Sequence, residues 1–194
     1  MSDDKNKTYV ITGPATLSYP HIAKAQDPQK PGDKAKFSAS LVFAAGADLK
    51  AMQEAAFAAA EAKWPGKSAD MFKNQILRSP FRRDAVAKGY PEGSVFVNAR
   101  SEQQPQCVYR HADENGKAAV IPQDKIEADL YAGSQVRASL RAFAYDTNGN
   151  KGVSFALNNI QKLAEGTRLD GRKAATDEFD ADLSQAPVDI AGLI

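Results

Sequence analysis

The residues best equipped for chemistry in this 194-residue chain stand at alternate positions of one short run. Arg137, Ser139, Arg141, Phe143 and Tyr145 are interleaved with Val136, Ala138, Leu140, Ala142 and Ala144. Successive side chains of a strand point to opposite faces, so the two sets fall on opposite sides. The small apolar set suits a core. The other set joins two guanidinium groups to two aromatic rings, and cations for phosphates with flat rings for bases are what holds a nucleic acid strand. A solvated strand face also carries arginine, and Phe143 on such a face packs readily under a loop or helix. The alternation by itself leaves both readings open.

Catalytic constellations are absent from the pattern. There is no Walker-type phosphate loop, no GxGxxG, no GxSxG elbow and no HExxH. Cys107 is the single cysteine, so no internal disulfide framework and no paired-cysteine metal site is expected. It stands four residues before His111, but a nucleophile pair needs hydrogen-bond reach, and a buried, idle thiol is the expected reading. His21 and His111 are too isolated for a zinc site. Glu127 and Asp129 come nearest to a carboxylate pair and read as a solvated turn rather than a two-metal centre. The expectation is a protein without enzymatic activity, metal or cofactor.

Charge is unevenly spread. The whole chain carries a net +1, but no basic residue follows Lys173. The last stretch holds Asp177, Glu178, Asp180, Asp182 and Asp189. Removing those five from the 24 acids leaves 19 against 25 basic residues in 1–173, a charge of +6. A basic body with an acidic tail points to a polyanion partner for the body and an interaction role for the tail. The expected division is therefore 1–173 as a binding domain and 174–194 as an acidic, disordered tail. No apolar run approaches the roughly 20 residues of a membrane span. The N-terminus lacks the apolar core of a signal peptide, so no membrane partner and a cytoplasmic location are expected.

The elements that must position these residues follow from periodicity. Asn148-Gly149 between two strand-like runs is a strong hairpin signal, because both residues tolerate the positive φ of a tight primed turn. On the second hairpin strand, Val153, Phe155 and Leu157 share a face that Asn159, Gln161 and Leu163 are expected to continue. Thr8 to Tyr19 reads as a strand interrupted at Gly13-Pro14. Pro20 to Asp33, with three prolines, reads as a loop. In Lys36–Phe43 the residues Phe37, Ala39, Leu41 and Phe43 point inward and Lys36, Ser38 and Ser40 outward. Asp48 to Trp64 is an alanine-rich helix, started by Asp48 and stopped by Pro65-Gly66. Shorter elements are expected at Ser68–Leu77, Ser94–Arg100, Gln106–His111, Ala118–Ile121 and Asp124–Asp129. Five or six mostly antiparallel strands, one firm helix and two long loops fit a small closed or partly open barrel, with a two-layer α+β sheet as the alternative.

The run from Tyr131 to Arg172 resembles a family of bacteriophage single-stranded DNA-binding proteins. The likeness rests on Tyr131-x-Gly133, the aromatic pair near Tyr145, Asn148-Gly149-Asn150-Lys151-Gly152-Val153 and Leu157-Asn158-Asn159-x-Gln161. Upstream, Ser18-Tyr19-Pro20, Lys36-Phe37-Ser38 and Arg83-Asp84 also match, and the likeness spans most of residues 13–180. It implies a mainly β, OB-fold-like barrel that binds single-stranded DNA with little sequence preference, in phage DNA replication, recombination or repair. It implies further that the acidic tail recruits replication or recombination proteins and competes with DNA. Here the tail ends VDIAGLI, without the terminal phenylalanine of several single-strand binders; Phe179 lies fifteen residues from the end. The helix comes before at least two strands, so the OB strand order stays open. The expected DNA contacts are Arg137, Arg141, Phe143 and Tyr145, then Lys36, Tyr109 and Arg83. Lys24, Lys30 and Lys34 read as a solvated loop. The rival readings are a noncatalytic protein-interaction module or recombination mediator of phage origin, and a metal-dependent nuclease.

Overall fold

The computed structural model describes residues 7–28, 32–169 and 171. Lys30 and the tail acids Asp177, Glu178, Asp180, Asp182 and Asp189 lie outside the described residues. Eight strands form one sheet: β1 (Tyr9–Ile11), β2 (Ala15–Gln26), β3 (Lys36–Phe43), β4 (Val95–Ser101), β5 (Gln106–Ala112), β6 (Ala118–Val120), β7 (Gln135–Thr147) and β8 (Asn150–Ala164). Among the described residues three helices accompany them: α1 (Lys50–Lys63), α2 (Ser68–Lys73) and α3 (Ile126–Asp129). Short 3₁₀ turns occupy Val86–Lys88 and Gln123–Lys125.

Five strands close into a barrel in the order β2-β3-β4-β8-β7, with β7 returning to β2. Within the ring only the β4–β8 contact is parallel. This is a five-stranded Greek-key barrel of the OB type, and closure removes most free sheet edges. The early helix does not disturb that order, since α1 fits in the connection between β3 and β4. The strand tally exceeds the five or six expected because β1 breaks away from β2 and because β5 and β6 form a side arm on β8.

Alternation sets what faces the core. Val136, Ala138, Leu140 and Ala142 of β7 are buried, as are Ala39, Leu41 and Phe43 of β3 and Val97 and Ala99 of β4. Burying a leucine or phenylalanine fully stabilises the fold by about 1.5–3 kcal/mol relative to exposure. Met52, Ala55, Ala56, Ala59 and Ala60 of α1 join the same continuous core against β7, β8 and β1. Small side chains allow that close approach. At the helix start the Asp48 carboxylate accepts a hydrogen bond from the Lys50 N–H at 2.9 Å. At its end Trp64 packs partly buried on the core, and Gly66 takes φ +68°.

The β7–β8 hairpin turns at Asn148 (φ 50°) and Gly149 (φ 80°), the positive-φ pair that a primed turn requires. On β8 the expected inner face changes phase. Ser139 pairs with Asn159 but Leu140 pairs with Leu157, so one extra β8 residue bulges at Asn158. Ile160 and Lys162 therefore continue the buried face, while Asn159 is exposed and Gln161 and Leu163 are half-buried.

The expected loop after Tyr19 is also revised, because β2 continues to Gln26. The ladder to β3 slips between Ser18 and His21, and Tyr19 takes φ 43°. A bulge tolerates Pro20, which has no N–H to donate.

Where β4 and β8 splay apart, the segment 78–82 fills the gap. The Arg78 N–H donates to the Lys151 carbonyl (3.0 Å), and the Arg78 carbonyl accepts from the Val153 N–H (3.1 Å). Arg82 and Phe96 exchange two backbone hydrogen bonds of 2.9 and 3.0 Å. Between them Phe81 meets the core ring of Phe155 edge to face, 5.9 Å between centroids. The chain then folds over the outside of β3–β4, where Ala85 and Tyr90 bury Val42 and Phe96 in a second, smaller cluster. The Tyr90 hydroxyl lies 3.1 Å from the Ser18 hydroxyl and ties this cover to β2.

Candidate nucleic-acid interface

The outer face of β3 and β4 follows from the inner one. With Ala39, Leu41, Val97 and Ala99 inward, Ser38, Ser40, Asn98 and Arg100 point outward. They form the floor of a trough. Its central part, about 450 Å³, lies between Tyr19 and His21 of β2 and the Lys88–Tyr90 cover. Toward the β2–β3 connection it opens onto Lys34 and Lys36, sharing Ser38 and Arg100 with the centre. In the other direction Asn98 leads to a recess of about 530 Å³ lined by Arg78, Arg82, Tyr145 and Ser154. Concavities that share lining residues make one continuous path across the barrel.

The electrostatics of this path are mostly positive. Among the described residues Arg78, Lys88, Arg100 and Lys36 form no ion pair within 4.0 Å. Arg82 is held by Asp84 at 2.9 Å, and Lys34 by Glu102 at 3.0 Å. The hydrogen bond from Lys34 holds the Glu102 carboxyl below its usual range. Asp27 and Asp33 stand at the Lys36 end, the most acidic part of the trough. The floor is pinned, since Ser40 donates to the Asn98 side-chain oxygen at 2.6 Å. Tyr19 stands above it, 63% exposed and turned outward by its own bulge. A bare ring beside uncommitted cations can stack a base while neighbouring phosphates are neutralised.

The residues singled out in the sequence separate into two groups. Tyr145 and Lys36 line the trough at opposite ends. Arg137, Arg141 and Phe143 are exposed on the outer face of β7, beyond β8. Arg137 donates to the Gln161 side chain at 2.6 Å. Arg83 is exposed but does not line the trough, whereas its neighbour Arg82 does. Tyr109 sits on the side arm, donates its hydroxyl to the Asp129 carboxylate and stacks on His111 at 4.8 Å. That hydrogen bond raises its phenol pKa. Cys107 is buried, its thiol pushed up to about 11 by desolvation. Among the described residues no three His, Cys, Asp or Glu side chains converge on a point that would hold a metal ion. Among them, too, no helix is long and apolar enough to cross a membrane.

The sequence reading missed Tyr19, Lys34, Arg78, Arg82, Lys88, Asn98 and Arg100 as trough residues. For Asn98 and Arg100 the signal was present. Their alternation with Val97 and Ala99 repeats the pattern that singled out β7. Tyr19 and Lys88 carry no such signal, because one depends on a bulge and the other on a folded-back cover.

The ring order and the trough together define an OB-type barrel with a basic, aromatic outer groove. Residues 8–189 match the family described as "Enterobacter phage Enc34, ssDNA-binding protein", and the chain belongs to that family. "Putative protein p50" of Acyrthosiphon pisum secondary endosymbiont phage 1 is 31% identical over 130 residues, which take in 64% of this chain and 65% of that protein. The chain thus spans slightly under two thirds of that relative's length. Among solved structures, the single-stranded DNA-binding protein from bacteriophage Enc34 with its C-terminus truncated has a TM-score of 0.59 at 16% identity, over 83% of this chain and 88% of that one. The Enc34 protein in complex with ssDNA gives 0.57 at 16% identity, over 84% and 89%. Gp2.5, a single-stranded DNA-binding protein encoded by bacteriophage T7, gives 0.56 at 14% identity, over 87% and 98%. At these identities the structural likeness is one of fold.

Proposed function

We propose that this chain binds single-stranded DNA along the trough, without sequence preference and without catalysis. The observation that carries the reading is the continuous path from Lys36 through Arg100 and Tyr19 to Arg78 and Tyr145, which combines uncommitted cations with accessible rings. Base stacking on a ring contributes about 1–3 kcal/mol per base and tolerates any base. The cations supply a phosphate contribution that weakens with salt through counterion release. Stacking and phosphate contacts do not distinguish one base from another, so sequence preference is expected to be weak. In this reading residues 1–173 form the DNA-binding body. Residues 174–194 form an acidic tail whose Asp177, Glu178, Asp180, Asp182 and Asp189 meet proteins of phage DNA replication, recombination or repair.

A fluorescent oligo-dT titrated with the full chain at two salt concentrations tests this. The expected result is saturable binding that weakens with salt, with the oligonucleotide intact after incubation with magnesium. Salt-independent or absent binding would favour a protein-interaction module. Magnesium-dependent shortening of the oligonucleotide would make the chain a nuclease.

A further inference from the structure

The outer face that floors the groove continues past it. Arg100 of β4 pairs with Ala156 of β8, Ala156 pairs with Arg141 of β7, and Arg141 pairs with Tyr9 of β1. Their chain neighbours Ala99, Phe155, Leu140 and Val10 are all buried, so this cross-strand row points outward. Two strand spacings, about 9.6 Å, separate the backbones of Arg100 and Arg141. Only the methyl group of Ala156 stands between them, a low saddle rather than a wall. A second row runs alongside. Ser154, which lines the groove beside Tyr145, has Phe143 as its cross-strand partner.

The face beyond the saddle has the same chemistry as the groove. Phe143 is 44% exposed, and Tyr9 is exposed beside Arg141. Arg141 forms no ion pair within 4.0 Å among the described residues. The strands β1 and β8 contain no acid, and the one acid of β7, Asp146, is paired with Lys151 at 3.6 Å. A positive, ring-bearing surface continuous with a nucleic acid path is complementary to more of the same strand.

We propose that a single strand of DNA leaving the groove crosses β8 at Ala156 and continues over the outer face of β7, where Arg141 neutralises a phosphate and Phe143 carries a base. This rests on the groove reading above and adds a second, outer segment to it. The barrel then holds a longer stretch of DNA than its groove alone, and the residues that fill first differ from those that fill last.

The test compares oligo-dT of about 8 nucleotides, within the span of one OB-type groove, with oligo-dT of about 24 nucleotides. The full chain is used as wild type, as the double variant Arg141→Ala/Phe143→Ala, and as Tyr9→Glu, which puts an acid opposite Arg141 on the side away from the groove. Each variant should keep the wild-type unfolding temperature, since all three positions face outward. Affinity for the long oligonucleotide should fall about ten-fold in both variants, while the short one binds as before. Unchanged binding of the long oligonucleotide overturns the proposal, and so does an equal loss for both lengths. Lost self-association with intact DNA binding would assign the face to protein and overturn it too. A wild-type chain that binds neither length overturns the groove reading and this one with it.

Discussion

The ring of Tyr145 lies across its cross-strand partner Gly152, so close that a β-carbon on the glycine would stand 2.6 Å from the phenolic oxygen. The Arg78 carbonyl, at 2.9 Å from the same point, closes the other side. The glycine is therefore what lets a tyrosine lie flat at the end of the groove while the 78–82 segment pairs with β8. Gly152→Ala must displace either the ring or that segment. The expected cost is about 1–3 kcal/mol of stability, with weaker single-strand binding, read by denaturant unfolding and oligonucleotide titration. Removing the ring as well, in Tyr145→Ala/Gly152→Ala, should restore part of the stability but none of the binding. Additive losses in the double variant would show that the ring and the glycine do not compete for this space.

Tyr19 supplies the second prediction. Its φ of 43° is a conformation that costs an ordinary side chain about 1–2 kcal/mol. Tyr19→Ala and Tyr19→Gly both remove the ring, but only glycine relieves the backbone. The glycine variant should be about 1 kcal/mol more stable than the alanine variant, and both should bind single-stranded DNA equally poorly. Their salt dependence should stay near wild type, because a ring carries no phosphate contact. Arg100→Ala should behave the other way, with a flatter salt slope. Wild-type affinity in both Tyr19 variants would remove the ring from the binding surface.

How much of this was legible beforehand depends on whether the signal was local. The β7–β8 hairpin, its turn and the inward set Val136, Ala138, Leu140 and Ala142 followed from a period of two and an Asn-Gly pair. The α1 helix followed from its alanine-rich stripe. The bulges at Tyr19 and Asn158 did not, because each depends on how a partner strand pairs rather than on its own residues. The groove shares that character. Arg78, Arg82 and Lys88 reach it only because a loop-like stretch fills the β4–β8 gap and folds over β3–β4. The resemblance of the Tyr131–Arg172 run identified the family, but the densest motif is not the whole surface. Of its arginines and aromatics, Tyr145 lines the groove, while Arg137, Arg141 and Phe143 stand on the strand beside it.

Cys107 gives a prediction about chemistry that should not occur. Its thiol is buried at the foot of the side arm, donates weakly to the Pro105 carbonyl at 3.7 Å, and is pushed by desolvation from 9.0 to about 11. The thiolate is the reactive form, so labelling by a disulfide reagent near neutral pH should wait for unfolding. A folded-state value above the unfolded one means that the folded chain holds the proton more tightly. The linked stability is full below about 9 and is lost as pH rises toward about 11. Cys107→Ala should lack that alkaline decline. Rapid labelling of the native protein would contradict the burial.

Gly133 and Gly166 make the tightest backbone crossing among the described glycines. A β-carbon on Gly133, whose φ is +117°, would stand 2.0 Å from the Thr167 carbonyl oxygen, and one on Gly166 would stand 2.0 Å from the Gly133 carbonyl oxygen. The chain leaving β8 is thereby pressed onto the turn before β7. It is fastened there by the Tyr131 hydroxyl donating to the Gly166 carbonyl at 2.8 Å and by the Leu169 N–H donating to the Ala132 carbonyl at 2.9 Å. The obstacle at both glycines is backbone, which cannot swing aside as a side-chain tip does. Gly133→Ala should cost about 3 kcal/mol or more, from positive-φ strain and a forced separation of the two segments together. Thermal unfolding checks this, and a wild-type unfolding temperature would mean that the two segments do not meet in solution.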